Sequence, residues 1–148
     1  MEDLKTILFA EDSPDDVELT LKALGTSNLA NRVETVPDGE AALDYLYYRG
    51  KYKNRPCCNP ALVLLDLAMP KLGGLEVLRA IRADVNLRNI PVVILTSSGD
   101  EKDLLESYKS RVNAYVVKPL GLRAFMDAVA NLGIFWALIN ERPPDGVK

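Results

Sequence analysis

Side chains that could do chemistry follow four of the apolar segments in this sequence. They are Glu11 and Asp12 after the first segment, Asp66 after the third, Thr96 after the fourth and Lys118 after the fifth. If these segments are parallel strands, their carboxyl ends lie at one edge of a sheet, where open α/β sheets place their ligands. We therefore expect one cleft to hold three carboxylates, a hydroxyl and an ammonium group.

This set of groups favours a metal-assisted phosphoryl transfer. Three crowded carboxylates raise one another's pKa unless a cation joins them, and an all-oxygen cluster suits Mg²⁺, which keeps its remaining positions for water or phosphate oxygens. With the metal and Lys118 covering the negative charge and Thr96 donating a hydrogen bond, Asp66 would be the nucleophile. The sequence has neither a Walker A loop nor a G-x-G-x-x-G motif, so a nucleotide is not an obvious phosphoryl donor.

Alternating strand and helix patterns predict how these residues are positioned. Short apolar strands are expected at residues 6–10, 32–36, 61–65, 91–95 and 113–117. Helices are expected from Ser13-Pro14, after Asp38-Gly39, after Gly74, over 100–110 and from near Gly121. The first helix start is well marked, because a cap hydroxyl and a proline precede Asp15 and Asp16 at the positive helix end. Strict alternation with continuous apolar strands predicts an α/β fold, a flavodoxin-like (βα)5 three-layer sandwich with a parallel sheet of order 2-1-3-4-5.

Length and composition limit the classes of protein that this chain can represent. At 148 residues we expect a single domain, residues 1–148, with an extension or tail at 134–148 and no output domain. A net charge of −3 without a Lys/Arg run disfavours nucleic-acid binding. No apolar stretch reaches the ~18 residues of a membrane span, and the N-terminus lacks a signal-peptide pattern. We therefore expect a cytoplasmic protein that does not bind a membrane.

Histidine and cysteine usage narrows the chemistry further. The chain contains no histidine, which excludes Ser-His-Asp and Cys-His nucleophile systems, imidazole-bound zinc and any phosphohistidine carried by this chain. Cys57 and Cys58 are adjacent in a polar, Pro-flanked segment. We expect them to be plain loop residues, because a vicinal disulfide would be strained and a metal site would need more ligands.

In their order along the chain, the residues at the strand ends resemble the motifs of two-component response regulator receiver domains. The matching residues are Glu11-Asp12, Asp66 with Met69-Pro70 and Gly73-Gly74, Thr96-Ser97, Tyr115 and Lys118-Pro119, and the resemblance covers about residues 5–132. It implies roles by position: Asp66 as the phosphoacceptor; Glu11, Asp12, Asp66 and the backbone carbonyl of Ala68 as Mg²⁺ ligands; Thr96 and Lys118 as contacts of the phosphoryl group; and Tyr115 as the switch aromatic.

Three positions depart from the pattern of that family. Glu11 replaces the commoner Asp, which lengthens one arm of the acid pair, and Gly73 stands where Asp is common. Ala68 occupies a position that is often polar in the family, where the side chain can influence the water that hydrolyses the phosphoaspartate. Only Ala68 bears on the chemistry, and it leaves open the rate of dephosphorylation rather than phosphorylation itself.

The resemblance implies a phosphorelay signalling protein rather than an enzyme. Such a protein accepts a phosphoryl group from a sensor histidine kinase and signals to a downstream protein by changed protein–protein contacts. Two alternatives stay open. A Mg²⁺-dependent aspartyl-phosphate phosphatase or transferase usually has a second acid two residues after the nucleophile, where this chain has Ala68. A pseudo-receiver that is not phosphorylated is disfavoured by the intact acid pair, Thr96 and Lys118.

Two features resemble the stand-alone regulators that are paired with bacterial and cyanobacterial phytochromes. One is the long polar segment 49–60 before the third predicted strand, and the other is the ending Ile134-Phe135-Trp136. The resemblance implies a phytochrome kinase as the partner. Because little of the domain remains to bury Phe135 and Trp136, we also expect a homodimer that uses the last helix and the neighbouring strand.

Overall fold

The computed structural model describes residues 6–25, 33–56, 58–96 and 114–118, together with Arg123 and Asp127. Its described strands are β1 (Ile7–Ala10), β2 (Val33–Val36), β3 (Leu62–Asp66), β4 (Val92–Thr96) and β5 (Ala114–Val117). Its described helices are α1 (Pro14–Gly25), α2 (Gly39–Leu46) and α3 (Gly74–Ala83). The predicted alternation is confirmed over these ranges. The helix expected at 100–110 lies outside them, as does most of the one expected from Gly121.

The five described strands run parallel in one sheet of order β2-β1-β3-β4-β5, as predicted. The chain passes outward from β1 to β2 and then returns past β1 to β3, so the winding direction reverses between β1 and β3. Ala10 lies beside Leu65 in the register, which brings the residues after β1 next to the end of β3. Open α/β sheets bind ligands at such a reversal, outside the carboxyl ends of the strands.

The central strands are buried on both faces, which explains their continuous apolar sequences. On one face Leu8, Val63 and Leu65 belong to a hydrophobic cluster with the inward residues of α2 and α3. The alternate residues Ile7 and Phe9 are fully buried as well. β2, at the edge of the sheet, has two exposed residues among its four, in keeping with its more polar sequence. The sheet therefore holds the ends of β1, β3 and β4 rigidly.

The long polar segment before β3 begins with a short 3-10 helix, Gly50–Tyr52, and packs back on α2. The Arg55 guanidinium lies over the rings of Tyr45 and Tyr48, 4.0 and 3.9 Å from their centroids. Its Nε donates a hydrogen bond to the Tyr45 carbonyl at 2.6 Å. The stacking of Arg55 on two tyrosine rings therefore holds this segment against the end of α2.

The cysteine pair departs from the expectation drawn from the sequence. Cys58 is exposed and disulfide-bonded, so the expectation of a plain loop residue is wrong for it, and Cys57 lies outside the described residues. In the described part of the chain no helix combines the length and the apolar character needed to cross a membrane.

Candidate functional site

Three carboxylates meet at the carboxyl edge of the sheet, where β1 and β3 end. Glu11 follows β1 and stays fixed to the sheet, because its N–H donates to the Val36 carbonyl at 3.0 Å. Asp66 is the last residue of β3, and the strand pairing continues through it to Leu95. One carboxylate oxygen each from Glu11, Asp12 and Asp66 lies within 4.8 Å of the others. The structure therefore brings together the three acids that the strand ends predicted.

The start of α1 packs against these acids. Glu11 and Asp66 are almost entirely buried, with 3% and 5% of their surface exposed, whereas Asp12 is exposed. Glu11 Oε2 accepts a hydrogen bond from the Ser13 N–H at 3.2 Å. Ser13 Oγ in turn accepts from the Asp16 N–H at 3.3 Å, which caps α1 as predicted. The helix start therefore fixes the Glu11 carboxylate in the cleft.

Lys118 brings a positive charge to this cleft. It follows β5, and its N–H donates to the Thr96 carbonyl at 2.8 Å, which fixes its backbone beside the end of β4. Its Nζ lies 2.8 Å from Asp16 Oδ2, 3.1 Å from Asp66 Oδ1 and 3.2 Å from Glu11 Oε1. An ammonium group has three N–H donors, so each can point at one of these carboxylates.

The negative charge in the cleft exceeds what one ammonium can neutralise. Burial, followed by the charge of Asp66, raises the pKa of Glu11 to about 7, although Lys118 and the Ser13 N–H oppose the rise. Burial also raises the pKa of Asp66, against the effect of Lys118. Burial lowers the pKa of Lys118, but its hydrogen bonds with Asp16 and Asp66 and the nearby carboxylate charges outweigh that effect and hold the pKa above its usual value.

This donor set fits a hard divalent cation. The three clustered ligand atoms are all carboxylate oxygens, the ligand type that Mg²⁺ and Mn²⁺ prefer. A cation among them would favour the charged forms of Glu11 and Asp66, which burial disfavours. Ala68, the expected carbonyl ligand, lies two residues after Asp66 in the loop that follows β3, and it is exposed.

Thr96 and Tyr115 lie on the next two strands of the sheet. Thr96 ends β4 and is fully buried, one residue beyond the position that pairs with Asp66. Tyr115 lies in β5 opposite Ile94, and its side chain is outside what the structure describes. The backbone of the expected switch residue is therefore located, and its switching role stays a prediction.

Asp16 is a residue of this site that the sequence pattern did not reveal. It was expected only to be an acid at the positive end of α1, yet its Oδ2 makes the shortest of the three contacts with Lys118 Nζ. The sequence placed Asp16 in the first turn of α1, but it carried no signal for a contact with Lys118, more than 100 residues away. Its side chain is 35% exposed, so Asp16 borders the cleft from the helix side.

The loop between β3 and α3 needs glycine where it turns back on the strand. The Gly74 N–H donates to the Leu67 carbonyl at 3.0 Å, and a Cβ on Gly74 would lie 2.6 Å from the Asp66 carbonyl oxygen. Glu76 Oε1 accepts a hydrogen bond from the Gly73 N–H at 2.8 Å, which fixes the start of α3. The glycine pair therefore lets α3 begin close to the end of β3.

The fold and this cleft define a flavodoxin-like domain with an acidic pocket at the carboxyl edge of its sheet, and comparison with known proteins identifies its family. The response regulator receiver domain family matches residues 7–130, and the chain belongs to it. Response regulator Rcp1 of Synechocystis sp. is 40% identical over 132 residues, which are 89% of this chain and 88% of Rcp1. The solved structure of bacteriophytochrome response regulator RtBRR is 54% identical with a TM-score of 0.85, and the match covers 98% of this chain and 87% of that one.

Two further solved structures carry ligands or modifications of interest. The Mn²⁺-bound form of response regulator Rcp1 is 39% identical with a TM-score of 0.71, over 95% of this chain and 99% of that one. The phosphorylated cyanobacterial phytochrome response regulator RcpA is 37% identical with a TM-score of 0.72, over 97% of this chain and 100% of that one. The chain is a homologue of phytochrome response regulators. Receiver domains are signalling proteins that partner with histidine kinases and bind Mg²⁺ or Mn²⁺ at an acidic pocket. The function of this chain is therefore phosphorelay signalling. The phosphatase or transferase alternative is not favoured.

Proposed function

We propose that Asp66 accepts the phosphoryl group from a partner kinase's phosphohistidine. The observation that carries the proposal is a buried carboxylate at the end of β3 whose oxygen lies 3.1 Å from Lys118 Nζ, beside the acid pair. In the transfer, an Asp66 carboxylate oxygen bonds to phosphorus while the P–N bond breaks and the ring nitrogen keeps the electron pair. The chain has no histidine, so the donor is another protein.

Mg²⁺ is the proposed ion, with ligands from Glu11, Asp12, Asp66 and the Ala68 carbonyl. When bound it would neutralise charge on the phosphoryl oxygens. The Lys118 ammonium adds a second positive charge, and the Thr96 hydroxyl at the end of β4 donates a hydrogen bond to the same group. The all-oxygen donor set and the existence of a Mn²⁺-bound Rcp1 support this proposal.

The phosphorylated protein is proposed to signal by changed contacts with a downstream protein. Phosphorylation would draw Thr96 towards the phosphoryl oxygens and let Tyr115 rotate into the vacated space. The backbone hydrogen bond from Lys118 to Thr96 supports this coupling, because it ties the end of β5 to the end of β4. The surface formed by the last two strand–helix units would therefore change with the state of Asp66.

A phytochrome histidine kinase is the proposed partner. RtBRR is a bacteriophytochrome response regulator by name and RcpA a cyanobacterial phytochrome response regulator, and both match nearly the whole chain. Transfer from a phosphorylated phytochrome kinase should be complete well before transfer from an unrelated histidine kinase. Equal transfer rates from both kinases would contradict the assignment.

The cytoplasmic location and the single domain over residues 1–148, with an extension at 134–148, stay predictions from the sequence.

A homodimer through the last helix and the neighbouring strand is also proposed. The proposal depends on Phe135 and Trp136, which lie outside the described residues, so its support is the sequence alone. Sedimentation velocity of the wild type and of Trp136→Ala is the direct test. We expect the wild type to be a dimer and the variant to be shifted towards the monomer. A monomeric wild type, or an unchanged dimer in the variant, would exclude this interface.

Phosphorylation of Asp66 can be tested by intact-mass measurement after incubation with acetyl phosphate and Mg²⁺. The wild type should gain the mass of one phosphoryl group, and Asp66→Asn should gain none. Asp15→Asn is the matched control, because it makes the same change at an exposed aspartate of α1 and should behave as the wild type.

The same experiment distinguishes the alternative functions. Mg²⁺ binding without any adduct would favour a pseudo-receiver, and rapid turnover of added phosphoesters would favour an aspartyl-phosphate enzyme. An adduct that persists in Asp66→Asn would show that another residue is the acceptor.

A further inference from the structure

Asp16 differs from the other carboxylates around Lys118. Glu11, Asp12 and Asp66 form the group whose oxygens could share a metal ion, and Asp16 is not part of it. Its Oδ2 nevertheless lies 2.8 Å from Lys118 Nζ, closer than either Asp66 or Glu11. Asp16 is carried by the first turn of α1, so a helix, and not the edge of the sheet, sets its position.

A metal ion would compete with Lys118 for two of the three carboxylates that contact it within the described part of the chain. Glu11 and Asp66, whose oxygens lie 3.2 and 3.1 Å from Nζ, are both proposed metal ligands. A bound divalent cation would be the largest charge in the cleft and would offset the negative charge that these two carboxylates present to the ammonium. Of the three carboxylates in contact with Lys118, Asp16 alone would keep its full charge for the lysine.

From this geometry we propose that Asp16 is a positioning residue for phosphoryl transfer, which anchors Lys118 Nζ through one donor so that its other donors face the phosphoryl group on Asp66. The inference rests on the proposed function of Asp66 as acceptor. A lysine side chain has a flexible four-carbon stem, and a single charge-assisted hydrogen bond to a rigid helix restricts where its ammonium can lie. A charge that is already in position stabilises the transition state without further rearrangement.

Rates of phosphorylation by acetyl phosphate at saturating Mg²⁺, followed by intact mass, test this role. Asp16→Ala should react about five- to tenfold more slowly than the wild type, because it loses both the charge and the acceptor. Asp16→Asn keeps an acceptor oxygen and should fall between the two. Asp15→Ala removes the same charge from an exposed neighbour on the same helix turn, and it should react at the wild-type rate.

A double variant separates anchoring of the lysine from a general effect on the cleft. In a Lys118→Ala background, Asp16→Ala should have no further effect on the rate, because Asp16 has no ammonium left to hold. An equal slowing in that background, or equal rates for Asp16→Ala and Asp15→Ala, would overturn the inference. The circular dichroism spectra of Asp16→Ala and Asp16→Asn should match that of the wild type. If Asp16→Asn is phosphorylated as slowly as Asp16→Ala, that result would also count against anchoring.

Failure of the proposed function would look different. In that case the wild type and Asp66→Asn would show the same mass after incubation. The Asp16 variants would then have no rate of Asp66 phosphorylation to compare. An adduct on Asp66 with unchanged kinetics in Asp16→Ala would retain the function and remove only the positioning role.

Discussion

Lys118 Nζ and Asp66 Oδ1 lie 3.1 Å apart, and this ion pair joins residues at the ends of two strands that are not neighbours in the sheet. β4 lies between β3 and β5, so the lysine side chain reaches across the end of β4, where the backbone N–H of Lys118 donates a hydrogen bond to the Thr96 carbonyl. The two side chains are only 15% and 6% exposed. Removing Lys118 from this shielded pair leaves the charge of Asp66 uncompensated.

Replacing Lys118 with methionine keeps most of the side-chain volume and removes the ammonium. We expect phosphorylation by acetyl phosphate to slow by about 100-fold, because the loss of one preorganised positive or hydrogen-bonding group at a reacting centre has an effect of that order. The pKa values of Asp66 and Glu11 should rise further, since Lys118 lowers both. Intact-mass time courses measure the rate. Lys53→Met, at an exposed position, is the control, and matching rates for the two variants would exclude the role of Lys118.

Replacing Asp12 with asparagine should weaken divalent-ion binding while the fold stays intact. Asp12 is exposed and contributes one of the three clustered carboxylates, so Mg²⁺ affinity should fall by about tenfold or more when its charge is lost. Without metal, the variant should be at least as stable as the wild type, because the three carboxylates repel one another. Isothermal titration calorimetry measures the affinity. Asp15→Asn should bind as the wild type does, and the same affinity in Asp12→Asn would rule Asp12 out as a ligand.

The stability of the metal-free protein should depend on pH through the buried acids. The pKa of Glu11 is about 7 in the folded protein and 4.5 as the ordinary value. Between these values the folded protein holds a proton that the unfolded chain has released, so the free energy of unfolding falls as pH rises from about 4.5 to about 7. The raised pKa of Asp66 acts in the same direction. The expected loss is on the order of 1–3 kcal/mol, which thermal unfolding of EDTA-treated protein can follow.

Saturating Mg²⁺ should reverse this trend, because the ion binds the deprotonated carboxylates and so stabilises the folded protein more as pH rises. Glu11→Gln is the control, since an amide at this position does not titrate. Groups far from the cleft titrate alike in both proteins and cancel in the comparison, whereas the titration of Asp66, which is coupled to Glu11, changes with it. Parallel stability curves for EDTA-treated wild type and Glu11→Gln would show that Glu11 is not the titrating group.

The parallel sheet and the grouping of the acids could be predicted because both depend on regular features of the sequence, whereas the strand order was predicted from the likeness to flavodoxin-like folds. Continuous apolar strands that alternate with helices favour a parallel sheet, and a parallel sheet brings the residues at its strand ends to one edge. Glu11, Asp12 and Asp66 therefore had to lie close together once the strand order was known. Their differing burial did not follow, because it depends on how the start of α1 covers the cleft.

Contacts that depend on the rotation of a helix or on side-chain direction could not be predicted. Asp16 lies on α1, and only the observed rotation of that helix brings its carboxylate to Lys118. The stacking of Arg55 on Tyr45 and Tyr48 likewise depends on how an irregular segment folds back on α2. Local periodicity carries no information about such long-range contacts between polar side chains, whereas it does determine which residues enter the core.

Gly74, the first residue of α3, should be more sensitive to a methyl group than Gly73, which precedes it. In Gly74→Ala the new Cβ would lie 2.6 Å from the Asp66 carbonyl oxygen and 3.1 Å from Leu67 Cα, and both are backbone atoms that cannot move aside cheaply. We expect a loss of about 1–3 kcal/mol in the free energy of unfolding, together with weaker Mg²⁺ binding as the end of β3 shifts. Gly73→Ala is the matched control, because its Cβ would lie 3.2 Å from the Leu67 carbonyl oxygen and 3.7 Å from Glu76 Oε1. Urea unfolding and calorimetric titration measure the two effects, and equal losses in both variants would show that the close approach to Asp66 is not the cause.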